Sequence, residues 1–441
     1  MCSSDLARLI EIVRRARARD GRGPAVVVSA MSGVTDALLG IAARAGASET
    51  EEAQAQVEQL RQSHLAAART LVPAAALPPL LAAIEAQLDE LSAVVTALGV
   101  LREVSPRTLD VVAAMGELLS SRIVAAALVG AGLPGEWVDA RRAIVTNDTY
   151  TSAVPIIAAT NAALEATVVP LLDAGRVPVL GGFVGATVDG HTTTLGRGGS
   201  DYSGALVGAG VGAAEIQIWT DVDGMLTADP RVITNAKLVP RLSFAEAAEL
   251  AYFGAKVLHP STILPAAERN IPGLILNSRR AEGTGTTITA LPAPDGLPLT
   301  GLECKKDLTV VDITSSRMLM AYGFLRRVFE VFERFKTAVD VVTTSEVSVS
   351  VTVDSRQNLE AIVAALSEFA QVTLEHEMAL LCAVGDRLRN EPEIAARAVG
   401  VLEEVPLRMI SQAASRRNIT VILRQSDLTH AMQRLHEEFF E

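Results

Sequence analysis

The chain carries the stretch Thr193-Thr194-Leu195-Gly196-Arg197-Gly198-Gly199-Ser200-Asp201 between an apolar run, 177–183, and a segment rich in alanine and other small residues, 202–212. The first flank predicts a buried strand and the second a helix, so the loop opens a helix. Glycines let successive N–H groups converge, and a helix N-terminus offers unpaired donors, so such a loop binds phosphate or carboxylate. Arg197 can add a bidentate contact to a carboxylate. The alternative is a plain turn in which Asp201 caps the helix.

A second strand, loop and helix of this kind begin near Ala25. Residues 25–29 read Ala-Val-Val-Val-Ser, and the hydroxyl-rich turn 31–36 follows them. Residues 48–133 have apolar residues at helical spacing and predict a helical layer. Predicted strands near 136–138, 177–180 and 215–220 then alternate with predicted helices near 155–174 and 202–212. This alternation is typical of an α/β/α sandwich with a mainly parallel sheet.

The pattern changes beyond a linker that is rich in glycine and proline, 283–298. Strand and helix signals then repeat twice, which predicts two small α+β modules of the ferredoxin-like type. We therefore expect an α/β domain over 1–290, a first module over 301–377 and a second over 378–441, with the option that the modules intertwine.

Composition excludes several classes of protein. The 441 residues are 49% hydrophobic and 20% charged, and the net charge is −12, which argues against nucleic acid as the main partner. The longest uncharged apolar run, 123–135, is too short to cross a bilayer, so we expect no membrane span and a cytoplasmic protein. The three cysteines predict neither disulfides nor a zinc site. A metal, if one is used, would be magnesium held by carboxylates and substrate phosphates, and no protein ligand is assigned to it.

Polar residues that could carry chemistry follow a predicted strand at 215–220. Thr220 and Asp221 come where an open parallel sheet binds ligands, and Asp229-Pro230-Arg231 follows closely. Lys256 lies beside a glycine, in a chain with five lysines and 34 arginines. A lysine retained in so arginine-rich a chain suits a point-charge role, whereas a surface lysine and a strand-end turn are the alternatives.

Several motifs in this order resemble those of the aspartate kinases, which belong to the amino-acid kinase family, over nearly the whole chain. The matching segments are 28–35, Gly116-Glu117, 193–201, Trp219-Thr220-Asp221, 227–231 and 253–260. The repeat after the linker resembles the paired ACT modules of those enzymes. The resemblance implies phosphorylation of the β-carboxylate of L-aspartate by ATP with Mg²⁺, the first step of lysine, threonine and methionine biosynthesis.

The resemblance also implies roles for individual residues. Arg197, Asp201 and Lys256 would be catalytic; Arg197 would grip a carboxylate, while Glu117 and Asp201 would contact the polar remainder of the substrate. The residues expected around aspartate are Ser29, Thr35, Glu117, Phe183, Arg197, Gly198, Gly199, Ser200 and Asp201. The residues expected to hold ATP are Thr220, Asp221, Arg231, Lys256 and Val257. Phosphoryl transfer suits such a site because it needs in-line positioning and charge compensation more than an acid or base.

Regulation is expected in the first ACT-like module, through binding of an inhibitory amino acid. The positions that match a lysine site are Met318, Gly323, Phe324, Leu325, Val339, Asp340, Thr344, Ser345 and Glu346. Asp340 suits a cationic amine, but Ala321 lacks a hydroxyl that lysine-binding relatives have, so threonine stays open as the inhibitor. The alternative is a strand-end turn with ordinary polar caps. ACT modules commonly pair across subunits, so a homodimer or tetramer is expected.

The N-terminus departs from the family pattern. Relatives begin with a strand and Lys-Phe-Gly-Gly-Thr-Ser, whose glycines meet the phosphates, whereas this sequence starts Met1-Cys2-Ser3-Ser4-Asp5-Leu6. Either the true start lies upstream or the segment is lost; we favour the first because the other site residues are intact. The 441-residue polypeptide is expected to show little aspartate-dependent ATP turnover, and addition of the segment is expected to restore it.

Two other functions remain open from the sequence. Another amino-acid kinase, acting on glutamate or N-acetylglutamate, would share the sheet and the nucleotide site. A non-catalytic amino-acid sensor would explain a missing phosphate loop, although it has little need of Arg197, Asp201, Asp221, Arg231 and Lys256.

Overall fold

The computed structural model describes residues 3–20, 23–254, 259–292, 297–315, 322–412 and 415–441. The chain forms two compact units. The first comprises Met1–Gly224 and Val257–Ala290, and the second comprises Met225–Lys256 and Leu291–Glu441.

The first unit is built on short parallel strands. β1 (Val26–Val28) and β2 (Gly135–Val138) flank β4 (Val177–Gly181), and both pair with it in parallel. A second sheet contains β3 (Val145–Thr146), β5 (Val184–Thr187) and β6 (Thr192–Thr194), in the order β3-β5-β6. A third contains β7 (Ile216–Thr220), parallel to β9 (Gly273–Asn277), with β10 (Thr286–Thr289) antiparallel to β9.

Helices cover these strands. They are α1 (Ser3–Asp20), α2 (Val34–Gly46), α3 (Thr50–Leu71), α4 (Leu77–Leu101), α5 (Pro106–Gly130), α6 (Ile157–Thr167), α7 (Val169–Asp173), α8 (Gly199–Gly210) and α10 (Pro260–Arg269). In α4 the buried residues recur every three or four positions, from Leu80 to Leu98, so one apolar face packs into the core.

The central helix of the first unit is α5. Ser105 caps it by accepting a hydrogen bond from the Thr108 N–H at 3.1 Å, and Pro106 occupies the first turn, where no N–H partner is needed. The helix is long and apolar enough to cross a membrane by composition, but 83% of its most apolar window is buried inside the unit. This burial is typical of a core helix. Asp110 and Glu117 of α5 are among its buried residues.

The second unit contains one six-stranded antiparallel sheet. Its order is β12-β13-β11-β14-β16-β15, formed by β11 (Gly301–Thr314), β12 (Val342–Thr344), β13 (Ser348–Val353), β14 (Gln371–Val384), β15 (Leu407–Gln412) and β16 (Asn418–Arg424). Its helices are α9 (Phe244–Phe253), α11 (Phe324–Arg334), α12 (Leu359–Ser367), α13 (Pro392–Gly400) and α14 (Leu428–Phe440), and β8 (Arg241–Ser243) precedes α9.

The repeat predicted from the sequence is visible in this sheet. Each half has the order β-α-β-β-α, and the first strands of the two halves, β11 and β14, pair with each other along their length. The two modules therefore share one sheet. This confirms the α/β domain followed by paired α+β modules.

The segment 225–254 belongs to the second unit, whereas the sequence predicts it as part of the α/β domain over 1–290. Its Glu246 accepts from the Thr300 hydroxyl at 2.5 Å, and the Leu302 N–H donates to the Thr227 carbonyl at 2.8 Å. Glu249 accepts from the Asn418 amide at 2.7 Å. These hydrogen bonds explain why 225–254 packs with the second unit. The boundaries of the functional domains remain predictions.

Candidate active site and effector site

The carboxyl ends of β1 and β4 lie side by side. Val28 is the register partner of Gly181, and the Gly182 N–H donates to the Val28 carbonyl at 2.8 Å. Ser29 follows β1 directly, and its carbonyl accepts from the Ser120 hydroxyl of α5 at 2.8 Å. The strand pairing thus brings Ser29 next to the turn that carries Phe183.

Glycines let three elements meet at this edge. A Cβ on Gly181 would lie 2.9 Å from the Glu117 carbonyl oxygen, and one on Gly182 would lie 2.8 Å from the Ser200 Cα. A Cβ on Gly199 would lie 2.7 Å from the Phe183 ring. Helix α5, the end of β4 and the start of α8 are therefore in backbone contact. This packing brings Glu117, Phe183 and Ser200 together.

If this edge binds aspartate, as the sequence predicts, Gly182→Ala should weaken that binding, because the added methyl group would push the start of α8 away from the strand. Such overpacking costs about 1–3 kcal/mol. Gly204→Ala in the middle of α8 is the matched control, since nothing lies within 4 Å of its Cβ position. The control should be neutral or stabilised by up to about 1 kcal/mol. Calorimetric titration and thermal melting measure both variants, and an unchanged aspartate affinity in Gly182→Ala would contradict the expectation.

The carboxyl group of Glu117 is buried, and one of its oxygens is not hydrogen-bonded within the described part of the chain. Glu117 is 3% exposed, and its Oε2 has no hydrogen-bond partner among the described residues. Burial raises the pKa of Glu117 to about 7, and the Ala30 N–H opposes that rise. A ligand that brought an ammonium group would satisfy the free oxygen and stabilise the ionised carboxylate.

The N-terminus of α8 is open to an anion. Gly198, at φ 70°, caps the helix through its left-handed backbone, and no side chain caps it. Asp201 therefore does not act as the cap; burial raises its pKa. The Arg197 side chain is exposed just before this helix. The Gly199 N–H donates to the Gly196 carbonyl at 3.1 Å. The start of α8, Arg197 and Ser200 form a cationic and polar edge.

The turn into α2 repeats this geometry. Gly33 caps α2 at φ 75°, again without a side-chain cap, and half-buried Thr35 lies in the first turn. Phe183 itself has φ 64°, and its N–H donates to the Ser203 hydroxyl at 2.9 Å. This bond supports a backbone conformation that a bulky residue seldom adopts.

The structure describes three of the five residues expected to hold a nucleotide, and these three belong to two different units. Thr220 ends β7, and its carbonyl accepts from the Ser278 N–H at 2.8 Å; Asp221 follows it in an exposed position. Arg231 lies in the second unit, where its exposed guanidinium pairs with Asp229 at 2.5 Å. Lys256 and Val257 lie outside the described residues. Thr220 and Asp221 are neighbours in the chain, and their role in nucleotide binding remains a prediction.

A sequence profile decides the family of this chain. The profile of the amino acid kinase family matches residues 2–277. The chain belongs to the amino acid kinase family. The profile of the ACT domain matches residues 381–439, within the second module.

Known members of the amino acid kinase family resemble the chain along most of its length. The chloroplastic aspartokinase 3 of Arabidopsis thaliana is 35% identical over 450 residues, covering 98% of this chain and 79% of its own length. The crystal structure of E. coli aspartokinase III in complex with aspartate and ADP has a TM-score of 0.84 and 32% identity, covering 99% of this chain and 96% of that one. The structure of that enzyme with lysine and aspartate has a TM-score of 0.80 and 33% identity, with the same coverage. Within its family, the chain groups with the aspartokinases that carry C-terminal ACT modules.

The effector residues predicted for this family member lie around the first turn of α11 and the end of β12. Gly323, at φ 82°, caps α11 without a side-chain cap. Phe324 is buried in the module core and Leu325 is 41% exposed. Val339 is half-buried, and Thr344, Ser345 and Glu346 are exposed. Met318 lies outside the described residues.

Asp340 is already engaged in this site. Its Oδ1 lies 2.8 Å from the Nζ of Lys305 on β11, and the two side chains are 8% and 22% exposed. Its Oδ2 is buried and has no hydrogen-bond partner among the described residues. This pair could not be predicted from the sequence, because the two residues lie 35 positions apart and no motif joins them.

Proposed function

We propose that this chain transfers the γ-phosphoryl group of ATP to the β-carboxylate of L-aspartate, giving 4-phospho-L-aspartate and ADP. The observation that carries the proposal is the likeness, over 99% of this chain, to an aspartokinase structure that contains aspartate and ADP. The convergence of Glu117, Phe183 and Ser200 at the strand edge supports it.

The charges at this edge suit an amino acid with two carboxylates. Arg197 would hold one carboxylate through its guanidinium, and the start of α8, which no side chain caps, would add its partial positive charge. Glu117 would accept from the α-ammonium group through its unpartnered oxygen. Asp201, Ser29 and Thr35 would bind the remaining polar atoms, and Phe183, Gly198, Gly199 and Ser200 would shape the site. Holding the substrate at both ends aligns the remaining carboxylate oxygen for in-line attack.

The nucleotide would be held by Thr220, Asp221, Arg231, Lys256 and Val257. Phosphate charge attracts Arg231 and Lys256, and Lys256 would compensate charge on the transferring group. No cluster of three His, Cys, Asp or Glu side chains that could hold a metal occurs in the described part of the chain. Magnesium would enter with the nucleotide phosphates and supply charge compensation there.

The test is aspartate-dependent release of ADP, followed together with calorimetric binding of aspartate and of ADP. Glutamate and N-acetylglutamate serve as competing substrates. We expect aspartate alone of the three acids to bind, and whatever phosphorylation occurs, even if slow, to be that of aspartate. Phosphorylation of one of the other acids would assign the chain to another activity, and binding of lysine without aspartate would support a sensor.

We propose further that lysine is the inhibitory effector and binds in the first ACT module. A structural relative binds lysine together with aspartate. The half-paired carboxylate of Asp340 suits the ε-ammonium of lysine, and the open start of α11 suits its carboxylate.

Asp340→Asn is expected to weaken lysine binding at least about tenfold, because it removes a largely buried charge partner. Aspartate binding should stay unchanged. Asp354→Asn, in an exposed position of the same module, is the matched control. Calorimetric titration with lysine and threonine measures the effect. Heat with threonine only would reject lysine as the effector.

Self-association through the ACT modules is also proposed. Apolar side chains that α11 and the edge strand β12 leave exposed lie near one another in sequence: Tyr322, Leu325, Phe329, Val342 and Val347. A second copy could cover them and extend the sheet edge. Sedimentation would show a dimer or tetramer, and a monomer at all concentrations would contradict the proposal. The cytoplasm is the proposed compartment.

A further inference from the structure

Asp110 is a buried residue of α5, and both of its carboxyl oxygens accept hydrogen bonds. It is 1% exposed. Both of its oxygens lie 3.0 Å from the Thr151 N–H, and Thr194 donates its N–H at 3.1 Å and its hydroxyl at 2.6 Å. One side chain therefore joins helix α5, the loop around Thr151 and the last residue of β6.

The partners of Asp110 lead directly to the proposed substrate site. Thr194 ends β6 three residues before Arg197, and its carbonyl accepts from the Ala153 N–H at 2.9 Å. Glu117 lies seven residues after Asp110 on α5, which is two helical turns. A single rigid helix thus carries the carboxyl expected to meet the substrate ammonium and anchors the loop that carries Arg197.

We propose that Asp110 is a positioning residue that sets the distance between Arg197 and Glu117, and so the size of the amino acid that fits between them. This inference rests on the proposed binding of aspartate. Asp110 touches no substrate; it acts through Thr194 and the loop that follows.

Asp110→Asn tests this role, because an amide nitrogen would face the N–H groups that now donate to a carboxylate oxygen. We expect aspartate to bind about tenfold more weakly or worse, while the ADP affinity changes less than about twofold. Thr194→Val should reproduce part of the loss and Thr194→Ser should restore it, since serine keeps the hydroxyl. Because Asp110 sets the distance between Arg197 and Glu117, the preference for aspartate over glutamate should also decrease in Asp110→Asn.

Three results would overturn the inference. They are a lowered melting temperature with both affinities unchanged, an equal loss of both affinities, and a Thr194→Ser variant as weak as Thr194→Val. A wild-type chain that binds ADP but no aspartate would overturn the proposed function itself, before any variant is compared.

A separate observation concerns Lys305 in the second unit. Its ammonium lies 2.8 Å from Asp340 Oδ1 and 5.0 Å from the centre of the Tyr252 ring on α9. The Asp340 N–H donates to the Thr352 carbonyl at 3.1 Å, and this bond attaches the loop that contains Asp340 to β13. An internal ammonium therefore already occupies one oxygen of the carboxylate proposed to bind the ammonium of lysine.

We infer that Lys305 is a built-in competitor of the effector: free lysine takes over Asp340 and releases the Lys305 ammonium towards the Tyr252 ring. The inference rests on the proposed lysine site. Because Tyr252 lies on α9, the exchange would change a contact between the module and the segment 225–254. Lysine binding at Asp340 would in this way be transmitted to α9 within the second unit.

The experiment compares Lys305→Gln with Lys306→Gln, a neighbouring exposed lysine as the matched control. Removal of the competitor should tighten lysine binding by about tenfold in Lys305→Gln and leave it unchanged in the control. The stabilisation of the variant by saturating lysine should also exceed that of the wild type, because its Asp340 is otherwise unpaired.

Unchanged or weaker lysine binding in Lys305→Gln would overturn the competitor role. Tyr252→Ala should likewise alter the lysine affinity, whereas Tyr252→Phe, which keeps a ring, should not. A wild-type chain that binds threonine and not lysine would instead overturn the proposed effector.

Discussion

Glu117→Gln is expected to abolish measurable aspartate binding and, at the same time, to stabilise the ligand-free protein at pH 8. Both effects have one cause. The carboxyl of Glu117 is buried and one of its oxygens has no partner among the described residues, and burial raises its pKa from an ordinary value of 4.5 to about 7. Glutamine retains the shape but carries no charge, so it neither binds an ammonium group nor needs hydration.

The sign of the pH effect follows from the raised pKa. Between pH 4.5 and about 7 the folded chain holds a proton on Glu117 that the unfolded chain has lost. Stability from this group is therefore full at low pH and is lost as the pH rises through the folded pKa. The loss above pH 7 is about 3 kcal/mol, an order-of-magnitude figure, since one unit of pKa corresponds to about 1.4 kcal/mol.

Urea unfolding at pH 5 and pH 8 measures this difference. Glu117→Gln should gain stability at pH 8 relative to the wild type and little at pH 5. Glu165→Gln, at an exposed position of α6, is the matched control and should show no such change. In the wild type, aspartate should bind more weakly as the pH falls below 7. Full aspartate affinity in Glu117→Gln would exclude Glu117 from the substrate site.

Arg197→Gln is expected to weaken aspartate binding about a hundredfold or more while the ADP affinity is retained. The guanidinium is exposed and lies just before the start of α8, where no side chain caps the helix and the helix dipole also favours a carboxylate. Loss of a bidentate contact to a charged group costs several kcal/mol when the partner is left unpaired.

Arg197→Lys separates charge from shape. Lysine keeps the charge but cannot form two parallel hydrogen bonds, so it should restore only part of the affinity. Arg69→Gln, on the exposed side of α3, is the control for a general change of surface charge. Calorimetric titration with aspartate and with ADP measures all three variants. Equal aspartate affinities in Arg197→Gln and in the wild type would remove Arg197 from the site.

Much of the candidate site could be predicted because its signals are local. Gly33 and Gly198 take left-handed conformations at the starts of two helices, and the sequence places each after a predicted strand. The alternative interpretation, in which Asp201 caps α8, does not hold, because Asp201 lies in the third position of the helix and Gly198 occupies the cap position. Local sequence could not distinguish a cap from a residue inside the first helical turn.

By itself the sequence determined that two strand-loop-helix units are present and that a repeated α+β module follows. Glycine positions, apolar periodicity and motif order are properties of neighbouring residues, so they can be read without a fold. Only the tertiary structure decided that Asp110 holds Thr194, 84 residues away, and that Lys305 pairs with Asp340, 35 residues away. It also decided that 225–254 packs with the modules. The physical reason is that a buried charge takes its partner from whatever the fold brings within hydrogen-bond distance, and that choice leaves no local pattern.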